Sequence, residues 1–211
     1  MFSIDMGSLK PVGEFGSEAW CKACADYGMQ ILAAADLPED LVWGFSEIYT
    51  DPPARLLSDQ RLKAGYYFMV ENGEISGGDG VTEGCLALPG FHVQMSWGFL
   101  CNQSRTLYGS AGQKQRSAEE QVLREAMEAF LGHAPDLGGI ANPVWPQPII
   151  AALSVGSEEG AGLHNIAATL QMPSPEFADL PVTEMGVPVF ADMDAEQKQA
   201  FVRLCGVGPA N

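Results

Sequence analysis

The run Trp20-Cys21-Lys22-Ala23-Cys24 places two thiols one helical turn apart. Such a pair exchanges disulfides when its first cysteine sits at a helix N-terminus, where the macrodipole favours the thiolate. Ser17 is a natural N-cap for that helix, which puts Cys21 in its first turn. Proton transfer is the second available chemistry. Glu47 alternates with Trp43, Phe45 and Tyr49 along LVWGFSEIY, and an aromatic strand face would desolvate its carboxyl and raise its pKa. His92 heads the face opposite Phe91 in the strand-like run FHVQMSWGFLC, and Glu47 with His92 would form a base and an acid if both reach one pocket.

Other chemistries find less support. His92, His133 and His164 form no HxH or HxxxH pair, so spacing gives no metal site. Asp79 in GGDG lacks the alternating oxygen ligands of a calcium loop and reads as a turn. Arg105, Lys114 and Arg116 lie in a glycine-bearing polar stretch ahead of a helix, where they are candidates to hold a phosphate or carboxylate. That stretch has neither GxxxxGK[ST] nor GxGxxG, and the chain has no GxSxG elbow. No cofactor is expected.

The elements that must position these groups can be read from period and punctuation. Residues 1–16 read as an extended arm. SEAWCKACADYGMQILAAAD, with Trp20, Cys24, Tyr27 and Ile31 at helical spacing, predicts a helix stopping before Pro38. Period two begins at Leu41. AGYYFMVE, Asn72-Gly73 and EIS predict a hairpin, because a type I′ turn needs positive φ at both central residues. FHVQMSWGFLC predicts a strand with Phe91, Val93, Met95, Trp97, Phe99 and Cys101 on one face and His92 on the other. Ser117 and Glu120 predict a capping box for a long helix ending at Gly132. Beyond it come a Pro-rich crossing over 134–148, a helical segment in two pieces, an extended Pro-rich stretch over 173–188, and a last helix capped by Asp194.

The resulting expectation is α+β, with an antiparallel sheet of four or five strands packed by helices and a helical and extended C-terminal third. The organisation is an arm over 1–16, a core domain over 17–132, and a segment over 133–211 packed on it. This helix–sheet–helix order and the YYFMVENGEISGG hairpin resemble sterol-carrier-protein-2-like folds over residues 17–132, which implies binding of lipids or other apolar ligands. The likeness carries no functional residue across. WCxxC separately resembles the active-site motif of thioredoxin-like oxidoreductases, and Met185-Gly186-Val187-Pro188 resembles the proline loop that faces it there. GEFGSEA, however, is not the strand that should precede that motif.

Composition narrows the partners. With 27 acidic and 11 basic residues the net charge is −16, which repels phosphate backbones and excludes nucleic acid and anionic membranes as expected partners. No apolar run is long enough to span a bilayer. Five cysteines, an odd number, with no visible signal peptide predict reduced thiols in a cytoplasm. The Pro-rich stretch over 173–188 is long enough to wrap a second subunit, which allows a homodimer. Aromatics concentrate on the strands. A twisted sheet under helices leaves a pocket, and Trp43, Phe45, Tyr49, Tyr67 and Trp97 are the residues expected to line it. The leading expectation is therefore a binder of a small, largely apolar organic ligand. An enzyme using Glu47 and His92, as a lyase, isomerase or hydrolase, and a thiol–disulfide oxidoreductase using Cys21 and Cys24 are the alternatives.

Overall fold

The structure, a computed structural model, describes residues 4–104, 110–153, 162–184 and 186–207, without the side chains of 103, 104, 110–114 and 116. Arg105 and the side chains of Lys114 and Arg116, the candidate anion site, lie outside the described residues, as does Met185.

After the two-residue strand β1 (Gly13–Glu14), Ser17 Oγ accepts the Trp20 amide at 3.3 Å and starts helix α1 (Glu18–Ala33). The chain then builds β2 (Trp43–Thr50), β3 (Ala64–Glu71) and β4 (Glu74–Asp79) as an antiparallel meander. Asn72 and Gly73 take φ of 52° and 78°, as the hairpin signal requires. Helix α2 (Glu83–Ala87) leads to β5 (Gly90–Ser96), which pairs with β2 in parallel. Helices α3 (Trp97–Ser104) and α4 (Ser110–Leu131) follow, and β6 (Gly138–Ala141) returns antiparallel to β5. The sheet order is β4-β3-β2-β5-β6. Helices α5 (Gln147–Leu153) and α6 (Leu163–Thr169), the strand β7 (Gln171–Met172) paired with β1, and α7 (Ala195–Leu204) follow, with short 3-10 turns between elements.

The fold is α+β, but the sheet is mixed. Alternation of side chains is the same in parallel and antiparallel strands, so it cannot report direction. Direction follows from the route: β4 is an edge, and the chain crosses through α2 before entering beside β2. Gly90 permits that entry, since a Cβ there would stand 1.8 Å from the Gly44 carbonyl oxygen. A second difference lies at Trp97, where the expected strand becomes α3. Trp97 and Cys101 are four residues apart and suit a helix face as well as a strand face. Ser96 ends the strand, its Oγ accepting the Phe99 amide at 3.4 Å. Helix α4 also begins before Ser117, which lies inside it.

One face of the sheet carries Trp43, Phe45, Glu47 and Tyr49 of β2, with Tyr66 and Phe68 of β3 and Phe91, Val93 and Met95 of β5. Rings run across three strands: Phe45 stacks on Phe68 at 4.7 Å and on Phe91 at 5.6 Å. Helix α1 covers the β3 side of this face so closely that a Cβ on Gly28 would come within 2.6 Å of the Phe68 ring. The opposite face carries Ser46, Tyr67 and His92 and meets α2. The Pro-rich stretch over 173–188 lies against its own core, where Phe177 and Val187 are buried. Among the described residues no helix is long and apolar enough to cross a membrane.

Candidate functional site

Among the described residues, the edge of α1 stops short of β5 and leaves the aromatic face between them partly uncovered. A cavity of about 320 Å³ fills that gap. Its floor is the sheet, with Phe45 and Glu47 from β2, Tyr66 from β3, and Phe91, Val93 and Met95 from β5. Phe15 and Trp20 form one wall, and Leu163, His164 and Ala167 of α6 form another. The indole Nε1 of Trp20 donates to the Ala167 carbonyl at 2.9 Å and ties those walls together. Phe15, Trp20 and Tyr66 are buried, whereas Ile140 of β6 is 49% exposed and Trp145 and His164 are half-buried. The mouth therefore lies between β6, Trp145 and α6.

Among the described residues lining this apolar space, Glu47 is the carboxylic acid. In register it sits between Tyr66 and Val93, and Tyr49, two residues on along the same face, donates its phenol to Oε2 at 2.6 Å. The fraction of Glu47 that remains accessible faces the cavity. Burial pushes its pKa up to about 7, and the Tyr49 hydrogen bond pulls the other way. Burial likewise raises Tyr49 and Tyr66, with the Glu47 charge adding to it. The ion pairs of the described residues join Arg55 to Glu14 and Glu176 and Arg61 to Asp79, and none includes Glu47. A carboxyl that changes charge near neutral pH, aimed into an aromatic cavity, can bind a polar group or exchange a proton.

His92 does not join it. It stands opposite Ser46 in the parallel pair, on the other face of the sheet, so Glu47 and His92 form no acid–base pair. There Ser46 Oγ and His92 Nδ1 are 2.7 Å apart, and His92 Nε2 lies 3.0 Å from the Leu88 carbonyl. The carbonyl can only accept, so Nε2 carries the proton and Nδ1 accepts from the Ser46 hydroxyl. The arrangement closes a buried polar pair and holds α2 to the sheet.

The other expected lining residues divide. Phe45 lines the cavity. Tyr49 backs it by holding Glu47. Trp43 is fully buried, with its Nε1 donating to the Val144 carbonyl at 2.8 Å. Tyr67 is on the opposite face, one residue out of phase with Tyr66. Trp97 is buried in α3 and donates to the Phe15 carbonyl at 2.9 Å. Trp43, Tyr67 and Trp97 therefore lie outside the lining: Trp43 is on the expected face but covered by its contact with Trp145, while Tyr67 and Trp97 differ because a two-residue period assigns relative faces, and only strand pairing and the start of α3 decide which face or element a ring occupies.

Cys21 and Cys24 are present as free thiols on α1, both fully buried. Burial pushes both thiols up, and Cys21 is raised despite the Arg61 charge nearby. The exchange reaction needs the reverse, an accessible low-pKa thiolate. Arg61 is the residue that spacing gave no sign of. It pairs with Asp79 through Nε–Oδ2 at 2.7 Å and Nη2–Oδ1 at 2.5 Å, and its Nη2 donates to Cys21 Sγ at 3.4 Å. Asp79 is thus committed to an arginine. His164 and the Phe15, Trp20 and Trp145 rings were also beyond reach of spacing alone, since they come from segments far apart in the chain. Among the described residues no group of three or more His, Cys, Asp or Glu could hold a metal ion.

Comparison of the chain with protein-family models, with curated proteins and with solved structures finds no match.

Proposed function

We propose that this protein binds a small, largely apolar organic molecule in the cavity between α1, α6 and the sheet. The observation that carries the reading is an aromatic cavity of about 320 Å³ whose described lining holds one carboxyl group. Ligand pockets combine these features, broad apolar walls for affinity and few polar groups for orientation, from roughly 300 Å³ upward. Five free, buried thiols support a reducing, cytoplasmic setting. Native and denaturing mass spectrometry of the purified protein, with octanol titrated against Trp20 and Trp145 fluorescence, tests it. A non-covalent mass lost on denaturation, or saturable quenching that Ala167→Phe abolishes, is the expected result. A bare subunit that octanol neither quenches nor stabilises would end it.

A second reading is proton transfer on a small organic substrate in the same cavity. It is favoured by the Tyr49–Glu47 hydrogen bond and a carboxyl titrating at about 7. Glu47 would take the proton and return it, with Tyr49 holding its carboxylate in place. Turnover of a bound ligand that Glu47→Gln stops, while binding persists, separates catalysis from binding.

A further inference from the structure

We infer that the ligand of this cavity is a cationic amphiphile, an apolar body bearing a single protonated amine that docks on Glu47. The inference rests on the binding reading above and adds the charge of the ligand's polar group.

Three observations converge on it. Glu47 accepts the Tyr49 phenol on Oε2 and lines the cavity, and a carboxylate has about four lone-pair sites, so the site offers further acceptor positions and asks for a donor. Trp20, Tyr66, Phe15 and Phe45 line the same cavity, and an aromatic ring attracts an ammonium at its face. The chain as a whole carries −16, so its field draws cations in and turns anions away. A desolvated ammonium is costly on its own. Here a carboxylate and aromatic faces replace its water, which is the condition under which a buried ion pair holds. A fatty acid or phosphate ester meets the opposite: a like charge beside Glu47 in an acidic protein.

Charge state then couples to binding. The groups facing Glu47 are Tyr49 on its own strand, Tyr66 on β3 and Cys21 and Cys24 on α1, with His164 on α6 lining the same cavity. Burial keeps the two phenols and two thiols protonated, so the carboxyl is the one of these on β2, β3 and α1 that loses a proton near neutrality. An ammonium binds the ionised carboxylate and expels that proton.

Calorimetry with octylamine, octanol and octanoate at pH 6 and pH 8, in buffers of different ionisation enthalpy, tests the inference. Octylamine should bind at least about tenfold tighter than octanol, as a charge-assisted hydrogen bond is worth. It should release a proton at pH 6, and octanoate should be weakest. Glu47→Gln, checked for folding by circular dichroism, should bring octylamine down to the level of octanol and so abolish the amine–alcohol ratio. Should Glu47→Gln fail to fold, the proton release and the amine–alcohol ratio in the parent protein decide. Octanol binding as well as octylamine overturns the cationic assignment and leaves the cavity reading standing. Binding of none of the three overturns both.

Discussion

The Tyr49 phenol and the Glu47 carboxylate, two residues apart on one face of β2, meet in a 2.6 Å hydrogen bond at an aromatic cavity. The i, i+2 spacing of a strand makes this contact local, so β2 alone positions it. What β2 alone does not supply is the burial that keeps the carboxyl near neutrality.

Glu47 should weaken the fold as pH rises. Its folded pKa of about 7 stands above the ordinary 4.5, so the folded chain holds more protons between those values. The associated stability is fully present below about 4.5, is lost as pH climbs through 7, and is level above. The shift corresponds to roughly 3 kcal/mol. Glu47→Gln should flatten this profile and be the more stable protein at pH 8 by on the order of 2 kcal/mol. Urea unfolding at pH 5 and pH 8 measures it; parallel profiles for the two proteins would mean that Glu47 titrates as an ordinary carboxyl.

Removing the phenol acts on the same group. Tyr49→Phe deletes the hydrogen bond that lowers the Glu47 pKa, so the carboxyl should titrate above 7 in the variant. The pH midpoint of Trp20 fluorescence reads the change. A midpoint that falls instead would mean that the phenol opposes the ionised form.

Ser46 and His92 should matter for stability and not for the cavity. Ser46→Ala leaves His92 Nδ1 without its donor in a buried site and should cost about 1–3 kcal/mol. Ligand affinity should stay within twofold or so, because the pair lies on the far face of the sheet. Loss of binding by a folded Ser46→Ala protein would count against the assignment of faces.

All five cysteines are free and buried. A thiol reagent at pH 8 should modify none of them rapidly in the native protein and all five in guanidinium. Rapid native labelling of Cys21 would restore the oxidoreductase alternative.

Gly28 sets the distance between α1 and the sheet. Gly28→Ala would gain helix propensity of about 1 kcal/mol, yet its methyl would press on the Phe68 ring at 2.6 Å. Overpacking should win, with a net loss of about 1–2 kcal/mol in chemical denaturation. A stabilised Gly28→Ala would show that the ring moves aside freely.

Local signals were legible wherever one segment carries the whole cause. Ser17 caps α1, Asn72-Gly73 turns the hairpin, and Asp194 with Gln197 closes a capping box on α7, all within a few residues of chain. Glu47 was legible for the same reason: alternation alone set it among Phe45 and Tyr49. His92, Tyr67 and Trp97 were not, because pairing phase and the end of β5 are settled by partners elsewhere. β6, in a Gly- and Pro-bearing stretch with no apolar alternation, gave no strand signal and exists because β5 offers it an edge.

The sequence by itself determined the α+β class, the acidic charge, the main helices, the meander, and a carboxyl on an aromatic strand face. Tertiary structure alone decided that β5 runs parallel to β2, that His92 faces away from Glu47, and that Cys21 is sealed beside Arg61. It also decided that Phe15, Trp20, Trp145 and Ala167 converge on one cavity. The physical reason is range. Propensity, capping and period act over one or two turns of chain, while direction, facing and burial depend on surfaces brought together from residues over a hundred positions apart, as the Trp20–Ala167 hydrogen bond shows.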